Sequence, residues 1–168
     1  LSFFLWSSMP DEELTRLASQ DQFKDPAVLE AQVRRMLRDP KAKALVENFA
    51  GQWLQLRNLR GFSPDPKLFP GFDDDLRLAM QRESEMFFDF ILRENRSVLE
   101  FLDSDYTFIN QRLSDYYGIK GVKGSDFKKE SLAGTGRGGV LTQGSILTIT
   151  SQPTRTAPVK RGKFLLEN

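Results

Sequence analysis

The sequence predicts an all-α protein, an irregular multi-helix bundle with long proline- and glycine-rich loops and at most one short hairpin. Three observations predict it. Asp25-Pro26 and Asp39-Pro40 repeat one helix-opening device, an Asp cap followed by Pro in the first turn. Apolar residues recur at helical spacing, most clearly Ala44, Leu45, Phe49, Trp53 and Leu56. The stretch 72–94 is long enough for six turns, opens on Asp73, Asp74 and Asp75, and then crowds Met86, Phe87, Phe88, Phe90, Ile91 and Leu92.

In chain order, a short apolar helix over 1–6 leads to Ser8, Pro10, Asp11 and Glu12, which open a helix over 10–19. Helices over 26–38 and 40–57 follow, the second being the expected central core helix because of its stripe. Gly61 to Gly71, with Pro64, Pro66 and Pro70, is too rich in proline to be helical and reads as an extended crossing loop. The 72–94 helix carries more apolar residues than one face holds, so it packs on two sides. Short helices are expected over 97–102 and 109–117, the latter stopped by Gly118. The Gly-, Lys- and Ser-rich 120–139 reads as loop, with room for a strand near 127–132. A helix over 139–150, an extended run around Pro153 and a last helix over 158–166 complete the chain. Two parts are expected: a helical core domain over 1–118, and a loop with a basic, Thr-rich segment packed on it over 119–168.

The net charge of +1 hides an asymmetry. Arg137, Arg155, Lys160, Arg161 and Lys163 stand against Glu167 alone, leaving the first 136 residues at −3. Nucleic acid is therefore not an expected partner, since the remainder is acidic and the aromatics fall at core spacing. No apolar run approaches the length of a membrane span, and the opening LSFFLWSSM lacks the basic start of a signal peptide. The chain reads as a segment of a longer polypeptide. It contains no Cys and no His. A Ser-His-Asp triad, a thiol nucleophile, a His-bearing zinc site and a His-ligated haem are thereby excluded within it.

Carboxylates, lysines and hydroxyls remain as candidate chemistry. Glu83 lies on the stripe Leu76, Met80, Phe87 and Phe90, where a buried acid has a raised pKa unless a cation such as Arg57 or Arg112 meets it. With Glu85 it is the candidate carboxylate pair for glycoside chemistry, against the plainer reading of an ion pair or a stripe edge in solvent. Asp103-Ser104-Asp105 begins like a calcium loop but lacks the acid and glycine that must follow, so no metal site is assigned. The basic stretch is the better site. The N–H groups of Gly138 and Gly139 at a helix start, with Arg137, Arg155, Lys160, Arg161 and Lys163, are candidates to receive an anion. The candidate anions are an acidic patch of another domain, or a sulfated or carboxylated sugar. Alternatively Arg155 and Arg161 pair with acids such as Glu47, Glu83 or Glu85 and fasten the segment to the core. Arg155 is expected to be structural, with Lys160 and Lys163 exposed.

The segment GGVLTQGSILTITSQPTRTAPVKRGK resembles the Thr-Arg-Thr-x-Pro-Val-Lys-Arg-Gly-Lys segment of large secreted planctomycete-type cytochrome c proteins. LSFFLWSSMPDEEL, ALVENFAGQWLQLRNL and DYTFINQRLSDYYGI are similar to the domain that precedes it there. The resemblance implies a non-catalytic scaffold or interaction module of an exported, periplasmic or secreted protein. It implies no cofactor in this chain, and haem c on a neighbouring domain of the same polypeptide as partner, which adds a haem propionate to the candidate anions. The alternative from the residues is a carboxylate-dependent, polysaccharide-acting enzyme domain using Glu83 and Glu85.

Overall fold

The computed structural model describes residues 1–167 and divides the chain into two compact units, Leu1–Phe49 and the chain from Ala50 onward. In the first unit, α1 (Ser2–Trp6), α2 (Glu12–Ser19) and α3 (Pro26–Arg38) precede a 3-10 turn at Pro40–Ala42 and α4 (Lys43–Leu45). Asp11, Asp25 and Asp39 each cap through a side-chain oxygen, accepting from Leu14, Ala27 and Lys41 N–H at 2.8–2.9 Å. Asp11 also takes the Arg35 guanidinium at 2.7 and 3.2 Å, so one carboxylate both caps α2 and binds α3 to it. Arg35 and the cap bonds hold the Asp11 carboxyl below its ordinary pKa. Leu5, Trp6, Leu14, Leu17, Met36 and Leu45 form the unit's core, where the Trp6 indole donates to the Met36 carbonyl at 2.9 Å.

The expected helix over 40–57 is broken into pieces. A π segment spans Val46–Ala50, α5 covers only Gly51–Trp53, and Gln55 takes a positive φ of 54°. A π turn inserts a residue into the helical period. The expected stripe therefore slips: Val46 and Ala50 are buried, while Phe49 is 44% exposed.

In the second unit the central element is α7 (Asp74–Arg93), reached through α6 (Asn58–Gly61) and a loop. Asp73 caps it, accepting from Leu76 N–H at 2.7 Å. The C-terminal half of α7 contributes Phe87 and Ile91 to a cluster with Leu54, Leu56, Tyr106, Phe108, Val140, Ile146 and Phe164. Its N-terminal half places Leu76, Ala79 and Met80 with Leu59, Ile109, Leu113 and Val122. Leu76, Met80, Phe87 and Ile91 share one helix face, so the two clusters follow one another along the helix, where packing on two sides was expected. Trp53 is half-buried, its ring edge-on to Phe101 at 5.5 Å and to Phe88 at 6.3 Å.

The all-α expectation is corrected by a two-stranded antiparallel sheet in a mostly helical chain. Strand β1 (Tyr106–Ile109) pairs with β2 (Lys128–Ser131), Tyr106 opposite Ser131 and Ile109 opposite Lys128. All four residues of β1 are buried and it runs against α7, whereas β2 is largely exposed. Between them lies α8 (Gln111–Tyr117), capped by Asn110 and closed by Gly118 at φ 71°. Beyond a 3-10 turn at Val140–Thr142 come α9 (Gly144–Ile149) and α10 (Pro158–Glu167). Gly139 precedes that turn at φ 61°, so close to Leu102 that any β-carbon would collide with the Phe101 and Leu102 carbonyls.

Phe87→Ala is expected to cost about 3–5 kcal/mol, since its ring is buried against Phe101 and Tyr106. Phe49→Ala is expected to cost about 1 kcal/mol or less. Urea denaturation of both variants checks this, and equal losses would restore the 40–57 stripe as the core.

Candidate functional site

Burial by α7 puts Glu83 at 1% exposure, on the helix side facing β1 and α8. A carboxyl there must be hydrogen-bonded. Thr107 of β1 donates to its Oε1 at 2.6 Å, and Tyr117 at the end of α8 donates to its Oε2 at 2.5 Å. Neither Arg57 nor Arg112 meets it. Arg112 instead binds Asp73 at 2.7 Å and the Gly71 carbonyl at 2.6 Å. Burial accordingly pushes the Glu83 pKa from 4.5 up to about 7, against the opposing pull of the Thr107 and Tyr117 bonds and the Arg137 charge. Burial and then the Glu83 charge push the Tyr117 phenol well above its ordinary value.

The same hydroxyl accepts from Gly144 N–H at 2.6 Å, carrying the chain of bonds into α9. A β-carbon at Gly144 would stand 2.8 Å from the Tyr117 oxygen, so the close approach requires glycine. Arg137 lies over the Tyr117 ring, its guanidinium carbon 3.9 Å from the centroid, and donates to the Thr142 carbonyl at 2.7 Å.

Tyr117 and Arg137 also line a cavity of about 300 Å³. One wall is the expected extended loop, with Phe62, Phe69 and Phe72, whose Asp65 N–H donates to the Pro153 carbonyl at 2.9 Å. The basic segment adds Leu147, Pro153, Arg155 and Arg161 to the lining. Three arginines line the cavity and, among the described residues, no carboxylate does.

The basic residues divide. Arg155 is exposed, with Nε donating to Gln152 Oε1 at 2.9 Å across the tight Gln152–Arg155 turn. Arg161 is half-buried, with Nε directed to Thr150 Oγ1 at 3.4 Å. Among the described residues neither forms an ion pair, so Arg155 is not the buried clamp expected of it. Lys160 donates to the Ser151 carbonyl at 3.2 Å, and Lys163 pairs with Glu167 at 3.6 Å on the exposed face of α10. Neither lysine lines the cavity. Gly138 N–H is bound by Thr142 Oγ1 at 2.9 Å and Gly139 N–H by Ser104 Oγ at 3.2 Å, so these amides are not open to an anion.

Glu83 and Glu85 do not face each other, because residues two apart lie on opposite sides of a helix. Glu85 is tied to Gln81 at 2.7 Å and Arg82 at 3.5 Å, beside a separate cleft of about 840 Å³ that mixes Asp75 and Asp115 with Arg82 and Arg112. No cluster of acids able to hold a metal occurs among the described residues, Asp103 and Asp105 included. Sequence reasoning missed Thr107 and Tyr117, because nothing local to either residue marks a partner 24 or 34 positions away.

Two family models match the chain. One, PSD4, described as a protein of unknown function (DUF1592), covers residues 1–119. The other, PSCyt3, also described as a protein of unknown function (DUF1588), covers residues 137–168. No curated protein and no solved structure matches. The cavity is built from both matched segments: its aromatic wall and Tyr117 from the first, its three arginines from the second.

Glu83 holds its proton more tightly folded than unfolded, so its contribution to stability falls as pH rises from 4.5 through about 7 and is level above. Glu83→Gln keeps the shape of the protonated acid and removes that fall. Relative to the parent, the variant is expected to gain on the order of 2–3 kcal/mol between about pH 4 and about pH 8. Urea denaturation at both pH values checks it, and a pH-independent difference would mean that Glu83 titrates alike in the folded and unfolded chain.

Proposed function

We propose a function on the premise that the chain belongs to the PSD4 family (DUF1592) and continues into a PSCyt3 (DUF1588) segment. It is a non-catalytic interaction module of a larger exported, cytochrome c-associated protein, and its arginine pocket receives an anionic group. The observation that carries the anion reading is the lining: three arginines and, among the described residues, no carboxylate and no ion pair of Arg155 or Arg161. Like charges gathered without a counter-ion repel one another, and an incoming anion relieves that repulsion. Arginine suits the task because its planar fork matches carboxylate and phosphate geometry.

The larger assembly is supported by the tandem of the two segments. Their order resembles that in large secreted planctomycete-type cytochrome c proteins, in which a c-type haem domain of the same polypeptide would be the partner and the compartment periplasmic or extracellular. No described helix is long and apolar enough to cross a membrane. The polysaccharide-acting alternative loses its proposed pair, since Glu83 is sealed beneath Tyr117 and Glu85 faces another cleft.

Arg155→Ala with Arg161→Ala is expected to leave stability within about 1 kcal/mol, since neither residue pairs with a buried acid. The same change should abolish the rise in melting temperature that sulfate, phosphate, acetate, benzoate or glucuronate gives the parent. A thermal-shift panel at low and high salt checks both. No shift with any of these anions, or equal shifts in parent and variant, would contradict the anion reading.

A further inference from the structure

We propose that the pocket's ligand is a small carboxylic acid with a flat apolar body, an aryl carboxylate, its acid held by Arg155 and Arg161 and its ring by Phe62, Phe69 and Phe72. This rests on the preceding reading that the arginines receive an anion.

The acid end follows from how the guanidiniums are held. Arg155 and Arg161 each direct Nε to a neutral neighbour, Gln152 or Thr150, and their terminal amino groups have no acceptor among the described residues. Each arginine is thus anchored by its stem side and leaves an end-on pair of N–H donors of the kind that takes two carboxylate oxygens. Arg137 differs. It is committed to the Thr142 carbonyl and the Tyr117 ring, so it supplies positive potential at the inner end rather than a second fork.

The body follows from the rest of the lining. A sugar brings hydroxyl donors that need acceptors, and no Asp or Glu lines this cavity. Of its other polar groups, Gln152 Oε1 accepts from Arg155, the Ser151 hydroxyl donates to the Leu147 carbonyl at 2.6 Å and the Tyr117 hydroxyl is shared by Glu83 and Gly144, which leaves the neutral hydroxyls of Tyr116, Thr148 and Thr156 and no charged acceptor among the described residues. Inorganic sulfate would satisfy the arginines but leave the aromatic wall wet, including Phe69 at 41% exposure. A flat apolar ring covers that aromatic lining, with Leu147 and Pro153 as further apolar contacts, and removes it from water. The volume, about 300 Å³, lies at the small end of pockets for compact ligands and suits one or two fused rings.

The test is calorimetric titration of the 168-residue chain with 2-naphthoate, benzoate, glucuronate and sulfate, with arginine Nε resonances followed by NMR to locate binding. Naphthoate is expected to bind more tightly than benzoate, and at least about tenfold more tightly than glucuronate or sulfate. It should move the Arg155 and Arg161 resonances. Phe69→Ser, at an exposed position, should weaken naphthoate by about tenfold and leave sulfate unchanged, while Arg155→Ala should weaken every anion. Glucuronate or sulfate binding as tightly as naphthoate would overturn the aryl class and leave the anion reading standing. Naphthoate binding unaffected by Arg155→Ala would overturn the assigned site. Absence of binding by all four probes would overturn the anion reading itself.

Discussion

The buried Glu83 carboxyl is the constraint on which the second unit depends. Removed from water, it must find donors, and the donors it finds fix three other elements. Thr107 requires β1 to lie along α7, Tyr117 requires α8 to end against it, and Gly144 brings α9 to the other side of the same phenol. No cation touches the carboxyl to offset its desolvation. The raised pKa is the consequence, and near neutral pH the group sits close to the boundary between acid and carboxylate.

The same clasp borders the arginine pocket. The Tyr117 phenol that binds Glu83 also lines the pocket, and Arg137, stacked on that ring, is the pocket cation whose charge reaches Glu83 appreciably. Arg155 and Arg161 are held by neutral groups, so the charge they carry is left for a ligand. The segments matched by the two family models meet in this one pocket and in one apolar cluster, where Val140, Ile146 and Phe164 pack with Phe87 and Tyr106. Neither segment completes that cluster alone.

What was legible in the sequence was local. The Asp caps at 25 and 39 bond residues two positions away and form as their spacing implies, whereas α2 is capped by Asp11 where Ser8 was expected, and Asp73, expected inside the first turn of α7, is its cap. The place of Glu83 on an apolar stripe was legible, but the plainer reading of that place, an ion pair or a stripe edge in solvent, is not what the buried carboxyl shows. The hydroxyl density of 142–156 was visible but misleading. Thr150 and Ser151 bond back to the Ile146 and Leu147 carbonyls, and Ser145 joins Ser84, so much of that density serves the backbone and core. Beyond reach were the π turn at Val46–Ala50, which no residue type announces, and β1, whose partner strand begins nineteen residues after it ends. A four-residue strand buried on both faces has no alternation to read.

The central claim is that Glu83 is a buried, cation-free carboxyl clasped by Thr107 and Tyr117. A carbon-13 NMR titration of the glutamate side-chain carboxyls, assigned with Glu83→Gln, measures it directly. The clasp predicts one resonance with a midpoint near 7, well apart from the ordinary 4.5. A Glu83 midpoint at or below 4.5 would contradict it, showing that water or a counter-cation reaches the carboxyl and that the clasp is open in solution.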